Sequence, residues 1–336
     1  MILIKAFVLS GIKKIEIGER ERPVPLAHEV LIRVEAVGLC GTDFKLYRGE
    51  YGDAYPLIPG HELAGTIEEV GEGVKSFQAG ARVTVIPNIP CGSCSYCLEG
   101  MKNQCPNRTA VGITRDGAYA DYVVVPAASV CPIGDLPAPV ATFIEPLACV
   151  LRGVERVQVK AGQKVMILGT GTTAHLYAQI LKGQGCDCIV VGRRQSKLSW
   201  FREHGLETVS TAQHPLEEIA KAYGEKVDVL IDAIGMPAWV EALVPVLRRG
   251  GKILVFGVAQ GEICFNYFDI YRKELQILGS FSLIDKFPQA IALLRNKTVV
   301  VDHLITHQGK LTDLKKILEE GKSDDMLKFV VLLGKE

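Results

Sequence analysis

This sequence has no charge imbalance, no membrane-length apolar run, no repeat and no low-complexity linker. Its 336 residues carry 38 Lys and Arg against 38 Asp and Glu. Zero net charge, with no dense basic stripe, removes the electrostatic footprint of a nucleic-acid binder. No apolar stretch approaches the roughly 20 residues that span a bilayer, so no membrane partner is expected. The opening run Met1-Ile2-Leu3-Ile4-Lys5-Ala6-Phe7-Val8-Leu9 has a lysine inside it and no small-residue cleavage site. It reads as a first β-strand rather than a signal peptide.

The composition is that of a folded protein, with 48% hydrophobic and 23% charged residues. The length suggests two domains. Ten cysteines are many. In a long chain without a secretion signal, Cys-x2-Cys spacing points to metal rather than to disulfides, and to a reducing cytoplasm.

Residues 1–147 read as mostly β. Short strand-like runs, Glu29–Val34, Ala81–Ile86 and Tyr119–Val125, are separated by Gly and Pro. From about 148 to 282 apolar strands at 165–168, 188–191, 227–231, 252–256 and 275–281 alternate with longer amphipathic segments. That is the pattern of βαβ units on a doubly wound parallel sheet. Residues 283–336 hold one helix-like stretch and a last strand, Phe329–Leu333. The expected class is α/β, a Rossmann sheet joined to a mostly β domain.

Cys91, Cys94, Cys97 and Cys105 lie in a Gly- and Pro-rich stretch with no apolar period. Such a loop buries too little to hold itself, and four thiolates on Zn²⁺ can do so. With sulfur at all four positions no place remains for water or substrate, so this zinc is structural. A second site is suggested by Cys40, at a strand end before a turn, and by His61 after Pro59-Gly60. A catalytic zinc takes three protein ligands and keeps one open position. Glu145, an acid within Phe143-Ile144-Glu145-Pro146-Leu147, is a candidate third ligand, because an unpaired acid in an apolar run is costly.

Gly169-Thr170-Gly171-Thr172-Thr173-Ala174 follows the apolar run Val165–Leu168 and opens a helix-like segment. This is the context a dinucleotide turn requires. Gly169 makes the turn, Gly171 admits the pyrophosphate, and Ala174 replaces the third glycine. The phosphate sits at a helix N-terminus. His175 is expected to be a helix residue without chemistry. The second strand ends in Gly192-Arg193-Arg194, and no acid occurs from Cys188 until Glu203. NAD wants an acid there for the ribose hydroxyls. Gly192 leaves room for a 2′-phosphate and the arginines are its natural partners. NADP is therefore expected over NAD.

Gly60-His61-Glu62-x2-Gly65-x5-Gly71-x2-Val74 matches the zinc alcohol dehydrogenase signature at every fixed position. With the cysteine lobe and the glycine turn in register, the chain resembles a zinc-dependent medium-chain dehydrogenase over its whole length. Glu145-Pro146-Leu147 resembles the polyol (sorbitol, threonine) branch, since the ethanol branch has a cysteine ligand there. The resemblance implies a GroES-like catalytic domain and two zinc ions per chain. Cys40, His61 and Glu145 become neighbours of the catalytic zinc, with Glu62 a ligand or just outside. Thr42 becomes the acceptor of the substrate proton. The relay histidine of the family is Lys45 here, and the late-strand Arg-Tyr pair of sorbitol enzymes appears as Ser282-Leu283.

The implied reaction moves a hydride between a secondary alcohol, of a polyol or sugar-derived and possibly phosphorylated chain, and NAD(P). Phe44, Tyr47 and Tyr51 would help exclude water. A homodimer or homotetramer is implied as well. An amino-alcohol dehydrogenase is the near alternative. A non-catalytic zinc and cofactor sensor would show a damaged open site, and a quinone or enoyl reductase would lack both zinc sites.

Overall fold

The computed structural model describes residues 2–52 and 54–334. The chain divides into two compact units, with the breaks after Ala148 and after Leu283. The last segment therefore folds back into the first unit.

The first unit is built on a seven-stranded sheet whose centre is Glu29–Gly38. Glu62–Val70 runs antiparallel along one edge of that strand. On its other edge Tyr122–Pro126 pairs with the first half and Lys328–Leu332 with the second. The central strand is therefore buried at Val30–Ile32, Val34 and Ala36–Gly38, with Arg33 and Glu35 only partly covered. Phe7, Leu9, Val30, Ile32, Val34, Val37 and Leu63 form the core beneath it, closed by Tyr119 edge-on to Phe7. The segment after 284 contains two helices, Phe287–Arg295 and Leu311–Glu320, where the sequence suggested one. Leu311, Leu314 and Leu318, spaced three and four apart, give the second its buried face.

The second unit is a six-stranded sheet. Its strands lie in the order Glu207–Ser210, Asp187–Gly192, Lys164–Leu168, Val227–Asp232, Leu247–Val255, Gln276–Gly279. Every pairing is parallel. The chain starts in the middle, walks to one edge and returns to build the other, which makes the doubly wound sheet the apolar runs predicted. Strand order reverses beside Lys164–Leu168, and the glycine turn follows that strand directly.

Asp228 fastens the base of this sheet. Its carboxylate accepts hydrogen bonds from the Lys164 N–H (2.8 Å), Gln163 (3.2 Å) and Arg248 (2.5 Å). Burial alone would raise its pKa, but the Lys164 N–H and the Arg248 guanidinium outweigh it and hold the carboxyl below the ordinary Asp value. Asp228→Ala should therefore lower stability by about 1–3 kcal/mol in urea unfolding. The depressed pKa means this contribution is complete above about pH 4 and is lost as pH falls through the folded value. Wild type and variant should converge in acid; a gap that persists there would contradict the assignment.

Candidate active site

Cys40 caps the N-terminus of a helix, Gly41–Arg48, where the sequence suggested only a turn. Its backbone N–H donates to Asp43 Oδ2 (2.8 Å). That places Asp43 in the first helical turn, where an acid suits the dipole. The left-handed cap at Gly49 ends the helix. Thr42 Oγ1 lies 3.7 Å from Cys40 Sγ. His61 and Glu62 arrive at the start of the neighbouring strand.

The ligand atoms of Cys40, His61 and Glu62 lie within 4.8 Å of one another. Glu145, in the first turn of the helix Ile144–Val157, stands outside this tight group. Its charge nevertheless acts on both His61 and Lys328. The geometry brings Glu62 rather than Glu145 into the tight group, whereas the sequence put Glu145 first and Glu62 as a ligand or just outside.

The site's own electrostatics fit a cation. His61 and Asp43 are both buried, and their facing atoms, Nδ1 and Oδ1, are 3.8 Å apart without hydrogen-bond partners. Burial works against charge on His61, yet Cys40 and Asp43 overcome it and hold its pKa well above the usual histidine range. A group of acids this eager for a proton on His61 offers the same field to a divalent metal. Asp43 also accepts from the Tyr119 hydroxyl (2.9 Å). It is thereby aimed at the histidine as a carboxylate behind a metal-binding imidazole usually is.

Lys328 lies on the last strand and was not singled out in the sequence. It is 3% exposed and makes an ion pair with Glu62, which is 2% exposed. The two meet across Gly38, whose backbone pairs with Glu62 on one side and with Val330 on the other. A Cβ on Gly38 would stand 2.3 Å from Glu62 Oε2 and 2.8 Å from Lys328 Cε. Only glycine leaves room for the pair. A lysine in an apolar terminal strand was the available signal, since lysine is almost never fully buried unless paired. Asp43 and Tyr119 had no comparable signal.

Lys45 is one turn on from Thr42, half-buried, and burial lowers its pKa while Glu50 raises it. Phe44, Tyr47 and Tyr51 pack against the core of the first unit.

The four cysteines at 91, 94, 97 and 105 come together as free thiols, with Cys94 and Cys97 sulfurs at 3.5 Å and Cys91 and Cys97 at 4.0 Å. Burial and the Cys94 contact push the Cys97 thiol up to about 12. Backbone N–H groups of Ser93 and Cys94 bring Cys91 down to about 6. The lobe around them leaves Leu98 76% and Tyr96 44% exposed, so it has little core of its own. Four crowded thiols without a disulfide match a tetrahedral sulfur site.

In the second unit, the Gly169 N–H donates to Val191 O (2.8 Å), which lays the glycine turn against the end of the second strand. Gly169 has φ +121°, outside the range other residues favour, and a Cβ on Gly171 would point into open space. Thr172 and Thr173 open the helix Thr172–Gly183 behind this gap. A Cβ on Gly192 would strike the Thr170 methyl at 2.3 Å. Arg193 is exposed and Arg194 caps the next helix, Gln195–Glu203. Asp187, at the far end of the strand, is paired with Lys164 (2.7 Å). The turn leaves an open cradle at a helix start, Gly192 makes room for the Thr170 methyl, and Arg193 and Arg194 rather than an acid follow the second strand. His175 is buried against Trp200 and Phe201.

Residues 26–135 match the family description "Alcohol dehydrogenase GroES-like domain", and residues 173–296 match "Zinc-binding dehydrogenase". The chain is 35% identical to the D-altritol 5-dehydrogenase of Agrobacterium fabrum, over 90% of each chain. Among solved structures, it is similar to a zinc-binding dehydrogenase of Sinorhizobium meliloti 1021 bound to NADP. The TM-score is 0.94 at 31% identity, over 99% of this chain and 100% of the other. The RspB dehydrogenase of Escherichia coli CFT073, complexed with NADH, gives 0.92 at 30%, over 98% and 99%.

Removing Lys328 should strand a buried carboxylate, which costs about 3–5 kcal/mol. Lys328→Met should lower the urea midpoint of the zinc-free protein accordingly, and adding Glu62→Gln should restore part of the loss. A Lys328→Met protein as stable as wild type would show that the pair does not hold Glu62.

Proposed function

The chain belongs to the zinc-dependent medium-chain dehydrogenases, and from that premise we propose that it oxidises a secondary alcohol of a polyol or sugar-derived chain with NADP preferred to NAD. The observation that carries this reading is the Cys40–His61–Glu62 group, with His61 and Glu62 buried and Cys40 half-buried, beside the Thr42 hydroxyl. The catalytic zinc would be held by Cys40, His61 and Glu145, with Glu62 beside it and paired to Lys328. The structural zinc would be held by Cys91, Cys94, Cys97 and Cys105. When bound, zinc supplies Lewis acidity to a substrate hydroxyl and the dinucleotide accepts the hydride.

The remaining work falls to side chains. Thr42 takes the substrate proton at Oγ1, close to Cys40. Lys45, on the same helical face three residues on, receives it when neutral, and burial shifts its pKa in the direction that role needs. Lys328 keeps Glu62 turned to itself, so that the metal's open position remains for substrate. Asp43 orients His61. Ser282 and Leu283 take the place of the late-strand pair of sorbitol enzymes and leave the choice of polyol to other side chains.

A homo-oligomer is part of the proposal. Gln276–Gly279 is an edge strand of the nucleotide-binding sheet. Near it Tyr267, Phe268 and Tyr271 are 86%, 60% and 74% exposed. An open strand edge beside exposed aromatics is a surface another copy can cover. A reducing cytoplasm suits the free thiols that zinc requires.

The direct test follows reduced nicotinamide absorbance with a panel of polyols against NADP and NAD; no turnover on any secondary alcohol by zinc-replete protein would sink the reading. Metal analysis should find two zinc ions per chain, and Cys94→Ser should retain only one and lose stability, because the lobe lacks a core. One ion or none in unchelated wild type would refute the assignment of both sites. For the cofactor, Arg193→Ala with Arg194→Ala should cost roughly 10–100-fold in kcat/KM for NADP, the worth of one or more charged hydrogen bonds, and spare NAD. A native preference for NAD, or equal losses, would overturn the assignment.

A further inference from the structure

Positive charge beside the metal-ligand group exceeds what the proposed polyol chemistry uses. Lys328 is occupied by Glu62. Lys322 follows the helix Leu311–Glu320 by two residues and is not so occupied. Its ammonium stands 5.4 Å from the centre of the Phe44 ring. Phe44 belongs to the helix that begins at Cys40 and carries Thr42. Among the described residues no carboxylate forms an ion pair with Lys322.

Water reaches Lys322, which is exposed as a residue. Protein nevertheless crowds its charged end. Burial lowers its pKa and Lys328 adds to that, while Cys40, Glu62 and Asp43 act in the opposite sense. The ammonium is thus within electrostatic range of the group that would hold the metal.

A solvated lysine loses little by swinging into bulk water, and a neutral polyol gives it no reason to stay. A cation over an aromatic face gains modestly, about 0.5–1 kcal/mol at an exposed site. An anionic group on the substrate gives more, because charge-assisted hydrogen bonds are about twice as strong as neutral ones. We propose that Lys322 is a specificity-determining residue that binds an anionic terminus of the substrate, a phosphate or carboxylate on the polyol chain, while the reacting carbinol lies at the Cys40–His61 group. The proposal rests on the dehydrogenase reading above. The anionic group undergoes no bond change; it only positions the chain.

The test uses zinc-replete full-length protein and three kinds of substrate. These are sorbitol and galactitol, their terminal phosphate esters, and gluconate and galactonate. Each is assayed for kcat/KM with wild type, Lys322→Ala and Lys322→Arg. Calorimetry measures binding of the same compounds. At least one anionic class should exceed its neutral polyol by about 10-fold or more. Lys322→Ala should remove that advantage mainly through KM, leave the neutral polyols within about two-fold, and flatten the salt dependence. Lys322→Arg should keep most of it. The phosphate and carboxylate arms show which anion the site takes. Preference for neutral polyols by wild type, or equal losses for all substrates in Lys322→Ala, would overturn the proposal and leave the dehydrogenase reading intact. If nothing turns over, the dehydrogenase reading fails and calorimetry decides. Binding of a phosphate ester or aldonate that Lys322→Ala abolishes supports the anion site, and no binding or unchanged binding ends it.

Discussion

A buried ion pair between Glu62 and Lys328, made across Gly38, is the constraint on which the catalytic half of this protein depends. Its partners lie 266 residues apart in sequence. They begin the two strands that flank the end of the central strand. Such a pair is weak evidence for stability, because desolvation offsets most of the attraction. Its consequence is positional. An acid next to His61 would otherwise turn toward any cation held there, and its lysine gives it a competing partner. The C-terminal segment thus contributes to a site whose other members all lie within the first 150 residues.

Around that pair the charges are arranged in order. The Cys40 backbone and the Tyr119 hydroxyl fix Asp43, and Asp43 faces His61. The Cys40 side chain stands beside Thr42 at the start of one short helix. Each member has low conformational freedom because a backbone hydrogen bond, a cap or a buried neighbour sets it. That preorganisation is what transfer of a proton and a hydride asks of a protein. The cysteine lobe is different: where apolar burial is missing, four thiols gather in a group that could hold an ion.

Much of this was legible in the sequence because it is local. The cysteine spacing, the Gly60-His61-Glu62 turn and the strand–turn–helix around Gly169 each span a few residues. The apolar runs at 165–168, 188–191 and 227–231 coincide closely with the strands Lys164–Leu168, Asp187–Gly192 and Val227–Asp232. What escaped is long-range or short in extent. Lys328 acquires its meaning only when the last strand docks against Glu29–Gly38. The helix Gly41–Arg48 is eight residues long and carries Gly and Thr near its start, so its periodicity is faint. After 284 the sequence suggested one helix where the structure has Phe287–Arg295 and Leu311–Glu320. Glu145 was conspicuous as an acid in an apolar run and was put first, whereas Glu62, nearer the thiol, was read from the motif as a ligand or just outside.

Anomalous diffraction at the zinc edge from crystals of zinc-replete protein tests the central claim most directly. The account predicts one peak among the sulfurs of Cys91, Cys94, Cys97 and Cys105, and a second at Cys40 and His61, with the Glu62 carboxylate still paired to Lys328. A second peak absent from Cys40 and His61, or Glu62 detached from Lys328 to complete the metal's coordination, would contradict it.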